Sequence, residues 1–522
     1  MKIAVPKERY PGEKRVAITP SVVRQLIELE FKVTVETQAG LDASFTDKDY
    51  QSAGASIAQN NDTLLADAQI ILKVRPPIKN DNGLDEIASM PAGATLISFV
   101  WPAQNSELLQ RLAAQKIDVL SMDSVPRISR AQKMDALSSM ANVAGYRAVI
   151  EATNAFGRFF AGQITAAGRI EPAKILVIGA GVSGLSAIGT AKSLGAIVRA
   201  FDTRLEVKEQ IHSLDAEFLE LNFAEDADGT GGYAKTMSKE FIEAEMALFT
   251  EQAKEVDIII TTALIPGKIA PELITEAMVK SMKQGSVIVD LAAEQGGNCA
   301  LTIPHEITEQ YGVKIIGYCN LPSHLSAQSS QLYASNIRHL LTEICPEKKG
   351  EIILNMEDEI IRAITVVKAG VVTWIPPKVL PAPIKEDNKS EVKSIEIESI
   401  ADNDKPTFSK ATQDIVLALT ISVLLLGLGS VAPASFMAHL SIFVLACFVG
   451  YMVIWNVAHS LHTPLMSITN AISSIVVLGA LLQASSPNNS LLWLSAIAIL
   501  ITSINIVGGF AVTRRMLKMF SD

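Results

Sequence analysis

From Ile415 to Thr513 the chain has no aspartate, glutamate, lysine or arginine, a stretch of 99 residues without a full charge. The outer faces of a soluble fold must meet water, so this absence excludes a wholly soluble protein. A basic surplus is missing too. With 55 acidic against 45 basic residues the formal charge is −10, leaving no cationic stripe to neutralise phosphates, which argues against a nucleic-acid partner. Cysteine is scarce. Cys299, Cys319, Cys345 and Cys447 have no CxxC or paired spacing, which argues against a disulfide framework and fits free thiols in a reducing compartment. No metal site is expected. The opening MKIAVPKERY lacks the apolar run of a signal peptide and begins like a strand, so the soluble part is expected to stay in the cytoplasm.

At 522 residues the chain is too long for one core, and two or three domains are expected. Residues 1 to about 375 alternate short apolar runs with helical patterns, the mark of parallel sheets in an α/β fold. One series of strands is expected at 2–6, 32–36, 69–74, 95–100 and 117–121, and a second at 174–179, 196–201, 256–261, 286–291 and 313–318. A helical stretch from roughly Ala131 to Phe160 separates them. The expected fold is α/β: two Rossmann-like, doubly wound lobes with a cleft, then an all-α transmembrane segment of four helices. Residues 1–135, completed by 327–378 after the helix that follows Ser326, would form the first lobe, and residues 136–326 the second. Between Pro376 and Phe408 the chain turns proline- and charge-rich with no apolar period, and 379–410 reads as a flexible linker.

The membrane domain is expected over 411–522, with spans at Thr412–Ser430, Ser435–Trp455, Leu465–Ala484 and Leu491–Val512. Each is close to the ~20 residues that a helix needs to cross a bilayer. Lys410 precedes the first span, and Arg514, Arg515 and Lys518 follow the last. An even span count and the positive-inside rule place both flanks on the cytoplasmic side. The spans hold no acidic residue, only His439, His459 and His462 and the amides Asn456, Asn470 and Asn505 in or between them.

The sharpest local signal is Gly179-Ala180-Gly181-Val182-Ser183-Gly184, after the strand KILVI and before a helical run, with Asp202 at the end of the next strand. Glycines let the backbone approach a pyrophosphate, a helix N-terminus holds its charge, and the acid accepts hydrogen bonds from the adenosine ribose. The negative charge of Asp202 disfavours a 2′-phosphate, so NAD(H) is expected over NADP(H). Arg204 is the caution, since an arginine there accommodates that phosphate.

The opening IAVPKERYPGEKRVAITP, TTALIPGK (261–268) and GSVIVDLAAEQGGN (285–298) resemble the alanine dehydrogenase and transhydrogenase α-subunit family. The block 124–149, the loop GGYAKTM (231–237) and the motif LHTPLMSITNAISS (461–474) resemble its transhydrogenase branch. The resemblance implies that Arg127, Gln132, Asp135 and Ser138 line the nicotinamide site, with Gln132, Arg127 and Asp135 serving catalysis. Arg127 and Asp135 would pair and fix the loop. The implied cofactor-binding set is Gln132, Lys133, Met134, Asp135, Ser138, Gly179, Gly181, Val182, Gly184, Asp202, Thr203, Arg204, Gly232, Tyr233, Ala263 and Leu264. The loop Glu225–Lys239 would close over NAD(H) with Tyr233.

Two positions depart from the alanine dehydrogenase pattern. Arg15 and Lys73 match the carboxylate-binding pair, but Trp101 stands where a histidine moves the proton, and Glu294 stands for an aspartate. Without an imidazole there, amine oxidation has no proton acceptor, and Arg15 and Lys73 are expected to be structural. The resemblance then implies the α subunit of a proton-translocating transhydrogenase of the bacterial inner membrane. It would hold NAD(H) itself and pass hydride to NADP(H) on a β subunit, in an α2β2 assembly with paired NAD domains. A membrane-tethered amino-acid dehydrogenase and an NAD(H)-sensing adaptor are the alternatives.

Overall fold

The computed structural model describes residues 1–79, 83, 85–221, 238–264, 269–374, 433–455, 476–483, 492–504 and 507–508. The expected linker, the span Thr412–Ser430, Gly232 and Tyr233 lie outside the described residues, as do parts of the last two spans. The chain divides into two compact units, Met1–Ile384 and Lys385–Asp522.

The first unit contains two large sheets. In the first sheet, β1 (Lys2–Val5), β2 (Lys32–Glu36), β3 (Ser56–Ala58), β4 (Ile70–Leu72), β5 (Thr95–Ser98) and β6 (Asp118–Ser121) run parallel. β16 (Thr365–Lys368) and β17 (Val371–Val372) add an antiparallel edge, giving the order β17-β16-β6-β5-β4-β1-β2-β3. A small hairpin, β7 (Gln163–Thr165) and β8 (Gly168–Ile170), precedes the second sheet. That sheet comprises β9 (Lys174–Ile178), β10 (Ile197–Phe201), β11 (Glu217–Phe218), β12 (Ile258–Thr261), β13 (Val287–Asp290), β14 (Ile307–Gln310) and β15 (Val313–Ile316). Its order is β11-β10-β9-β12-β13-β15-β14. The central strands are buried along their whole length, as in IIL and IIIT, because helices cover both faces of a parallel sheet.

All ten expected strands form, within two residues of the expected ends. The pattern missed β3, β11, β14, β16, β17 and the hairpin, which are short or lie at edges and carry no full apolar run. In the second sheet the chain leaves β9 to β10 on one side and later returns to β12 on the other. This reversal opens a crevice at the carboxyl ends of β9 and β12, where open α/β sheets take ligands.

One helix belongs to both cores. Ala136–Phe156 buries Ala136 and Met140 with the first sheet's residues, and Ala148, Val149, Ala152 and Phe156 with the second's. It starts later and ends earlier than the expected 131–160. Ser129–Met134 instead winds as a tight 3₁₀ segment, and Gly157, with φ +69°, stops the helix. The helix Ser326–Ile344 returns to the first sheet and buries Tyr333, Ala334, Ile337, Leu340 and Leu341 there.

In the second unit, Ala434–Trp455 and Val476–Gln483 are helical, as is 492–504. Among the described residues no helix is long and apolar enough to cross a membrane. On Ala434–Trp455, side chains are described without interruption only from Ala438 to Met452. Within that run Ile442, Phe443, Leu445 and Phe448 are each about two-thirds exposed. Steps of ~100° per residue spread these four around the helix, so it turns no polar side to water.

Candidate functional site

The crevice starts at the end of β9. Gly179 turns with φ +95°, and a Cβ on it would lie 2.4 Å from Oγ1 of Thr262. Conformation and space both demand glycine there. A Cβ on Gly184 would lie 1.8 Å from the carbonyl oxygen of Gly179, so the helix Val182–Ser193 meets the turn only without a side chain. At Gly181 a Cβ would enter open space, which is where a ligand can come against the backbone. Gly181 is also the N-cap of that helix and offers no side-chain oxygen to its first N–H groups, which suits an anion. The helix begins at Val182, inside the glycine motif, and Val182 is exposed at the rim.

Asp202, directly after β10, is buried and ties the acid to this turn. Its Oδ2 accepts the N–H of Ala180 at 2.7 Å. The backbone N–H and Nε of Arg204 donate to Oδ1 at 2.9 and 3.0 Å, and Nη2 donates to Oδ2 at 3.0 Å. The Arg204 guanidinium is thus turned onto Asp202, with Thr203 between them in sequence.

Across the crevice, Thr262 donates its hydroxyl to the carbonyl of Gly179 at 3.1 Å. Ala263 donates its N–H to Oδ1 of Asn298, and Nδ2 of Asn298 donates back to the carbonyl of Ala263 at 2.9 Å. Asn298 is in turn held by Asp290, which also accepts from Cys299, Ala292 and the hydroxyl of Thr302. Leu264 is exposed at the lip. Thr262, Asp290 and Asn298 escaped the sequence reading as site residues, although the quoted segments TTALIPGK and GSVIVDLAAEQGGN contain them.

Glu245, on the helix Lys239–Glu255, is the other missed group. Burial and the negative charge of Asp202 push its carboxyl up to about 7.

The second set sits on 127–138. Arg127, Gln132 and Lys133 are exposed, whereas Met134 is buried in the first lobe's core and roots the turn. Asp135 has a role other than the expected pairing with Arg127. It is the N-cap of Ala136–Phe156, accepting the N–H of Ser138 at 2.9 Å and the Ser138 hydroxyl. The capping bond satisfies an orphan N–H at the helix start. That helix then links the turn to the second lobe. A Cβ on Gly145 would lie 2.0 Å from the carbonyl oxygen of Ser183, and the Ser186 hydroxyl donates to the carbonyl of Asn142 at 2.7 Å.

Arg15 and Lys73 lie in a closed network. Arg15 is bidentate to Glu13 at 2.8 and 2.7 Å, and Arg75 donates to the same carboxylate at 3.1 Å. Burial works against the Glu13 charge, but the two guanidiniums hold its carboxyl well below the usual range. Lys73, 1% exposed, meets Glu86 at 3.0 Å and Glu8 at 3.2 Å. Burial alone would lower the ammonium's pKa, and the two carboxylates raise it. Arg75 reaches Glu294 of the second lobe at 3.2 Å. Trp101 holds φ +53°, donates its N–H to Asp123 and stacks on Phe99 at 5.9 Å. Every cation that could take a substrate carboxylate here is already paired. Among the described residues there is no group of three or more metal-ligating side chains.

The alanine dehydrogenase/PNT family models match residues 4–144 (N-terminal domain) and 148–375 (C-terminal domain), and the model for the 4TM region of pyridine nucleotide transhydrogenase matches residues 439–522. The alpha subunit of NAD(P) transhydrogenase from Cereibacter sphaeroides is 55% identical over 100% of this chain and 99% of its own length. The corresponding subunit from Haemophilus influenzae is 54% identical over the same shares. The crystal structure of transhydrogenase from Sinorhizobium meliloti, 40% identical, superposes with a TM-score of 0.65 over 71% of this chain and 100% of that one. A glycine turn at a sheet's switch point, a filled carboxylate pocket and an apolar C-terminal region thus accompany similarity over the full length, and the chain belongs to the family of NAD(P) transhydrogenase alpha subunits.

Proposed function

We propose that this chain holds NAD(H) in the second-lobe crevice and passes hydride to NADP⁺ carried by a partner β subunit, coupled to proton movement across the membrane. The observation that carries this reading is the contrast between the two candidate binding places. The pocket containing Arg15 and Lys73 is closed by its own carboxylates, while the glycine turn keeps open space at Gly181 and Gln132 is exposed.

When bound, the nicotinamide cofactor supplies the hydride. The residues of the chain do the binding and aligning. The N-terminus of Val182–Ser193 faces the pyrophosphate, and Asp202 accepts from the adenosine ribose, sharing its oxygens with Ala180 and Arg204. Gln132, Lys133 and Ser138 hold the nicotinamide end, Arg127 and Asp135 keep that segment in place, and Ala263 and Leu264 form the opposite wall. Gly232 and Tyr233 close over the pair and exclude water. Hydride transfer between two nicotinamides needs no side-chain base, which suits the place of Trp101. NAD(H) is the preferred cofactor because Asp202 opposes a 2′-phosphate.

The same reading makes 1–135 with 327–378 one lobe, 136–326 the NAD(H) lobe and 379–410 a linker. Residues 411–522 form four spans in the bacterial inner membrane, with the NAD domain in the cytoplasm. Support comes from the uncharged stretch, the flanking Arg514, Arg515 and Lys518 and the apolar residues exposed around Ala434–Trp455. Pairing of NAD domains in an α2β2 assembly is supported by the exposed hairpin, where Ile164 is 91% exposed and Phe159 nearby is exposed too.

The test uses the full chain assembled with its β subunit in sealed vesicles. Deuterium at the reactive carbon of NADH should appear in NADPH without exchange with water, together with a pH change across the membrane. Alanine-dependent reduction of NAD⁺ by this chain would favour the amino-acid dehydrogenase. Binding of NADH with no transfer at all would favour the sensor.

A further inference from the structure

We propose that Asn336 is a positioning residue for hydride transfer, holding the turn that presents Gln132 through the main-chain carbonyl of Lys133. The inference rests on the reading of the 127–138 segment as the nicotinamide site.

Besides Ala131, which is buried in the first lobe's core, three anchors hold that turn. Met134 is buried in the first lobe's core, and Arg130 donates to Glu343 at 2.9 Å and to Asp358 at 2.6 Å on the outside. The third anchor is internal. Asn336, on Ser326–Ile344, is 7% exposed and donates Nδ2 to the carbonyl of Lys133 at 2.9 Å. A carbonyl only accepts, so the amide must turn its nitrogen to Lys133. Its Oδ1 is then buried, with no hydrogen-bond partner among the described residues.

A buried, half-satisfied amide is an unfavourable occupant of a helix face. Its neighbours Tyr333, Ile337, Leu340 and Leu341 are all buried. A leucine in its place would pack there without an orphan oxygen. What asparagine adds is the single bond to the turn, at the residue following Gln132. Ala131 and Met134 root the turn in the core and the Asp135 N–H holds the carbonyl of Gln132, while Asn336 holds the next peptide at the carbonyl of Lys133. Reacting groups are sensitive to small misplacements of such a peptide.

The test compares Asn336→Leu and Asn336→Ala with the unaltered full chain, each assembled with the β subunit in membranes. Asn336→Leu removes the anchor and the orphan acceptor together, so it separates positioning from folding. Single-turnover hydride transfer should fall ~10- to 100-fold in both variants, with NADH affinity within about twofold of the original. Thermal stability of Asn336→Leu should be unchanged or higher. Combined with Gln132→Asn, either change should add less than about threefold to the loss from Gln132→Asn alone, because both act through one group. Unchanged transfer rates, equal losses in rate and affinity, or losses that multiply in the double variant would overturn the proposal. An unaltered complex that transfers no hydride would instead overturn the functional reading on which it stands.

Discussion

In the first lobe Arg15, Lys73 and Arg75 each meet a carboxylate within 3.2 Å, and all three are buried. In the second lobe, among the described residues, the crevice is flanked by the buried carboxylates Asp202, Asp290 and Glu245, and Arg204 is paired with Asp202. Both lobes are parallel sheets covered by helices, so architecture does not account for the difference. A network whose cations each meet a carboxylate offers no cation to a ligand. A helix N-terminus with no capping side chain, beside open space at Gly181, suits an anion. The difference leaves the second lobe rather than the first with groups suited to a ligand.

Three substitutions probe this contrast, the first with the largest effect. Lys73→Met leaves Glu8 and Glu86 buried without their shared cation, and stripping one partner from a buried ion set costs ~3–5 kcal/mol. Denaturant unfolding should show a loss of that order; a loss under about 1 kcal/mol would mean that the network is not what holds this lobe. Asp202→Ala should weaken NADH binding ~10- to 100-fold, as hydrogen bonds to a charged group contribute ~1.5–3 kcal/mol. It should also narrow the preference over NADPH, and fluorescence titration with both nucleotides tests each point. Selectivity that stays constant would remove Asp202 from the ribose.

Glu245→Gln has the opposite sign. The folded chain holds this carboxyl at about 7, against an ordinary 4.5. The folded state therefore binds the extra proton, and stability falls as pH rises from the lower value through the upper one. The glutamine variant lacks that fall. It should match the parent near pH 4 and exceed it at pH 8 by on the order of 3 kcal/mol. A variant no more stable than the parent at pH 8 would mean that the acid is solvated, and the crevice less acidic than its side chains indicate.

Much of the frame is readable from local pattern. Runs such as KILVI and VDIII contain little but β-branched and aliphatic residues, and they become strands buried on both faces. The glycine turn was legible because its spacing falls between a strand and a helix, with Gly179 and Gly184 answering local demands of φ and space, and Asp202 because it stands at the end of the following strand. The short edge strands were not, since two or three residues carry no period. Asp135 was misread as an ion partner because spacing alone does not reveal that a helix starts at the next residue and needs its carboxylate as a cap. Met134 lies in a segment matched as a whole, and only packing shows that it points into the core.

The order of apolar runs, the glycine spacing and the uncharged C-terminal stretch are properties of neighbouring residues, and they determined the parallel sheets, the crevice and the apolar region. Tertiary structure alone decided how the charges were allotted. Arg75 and Glu294 are 219 positions apart, and Asn336 and Lys133 are 203 apart. Such pairs meet only because packed helices and strands carry them to one place, and no local preference of either residue encodes the other.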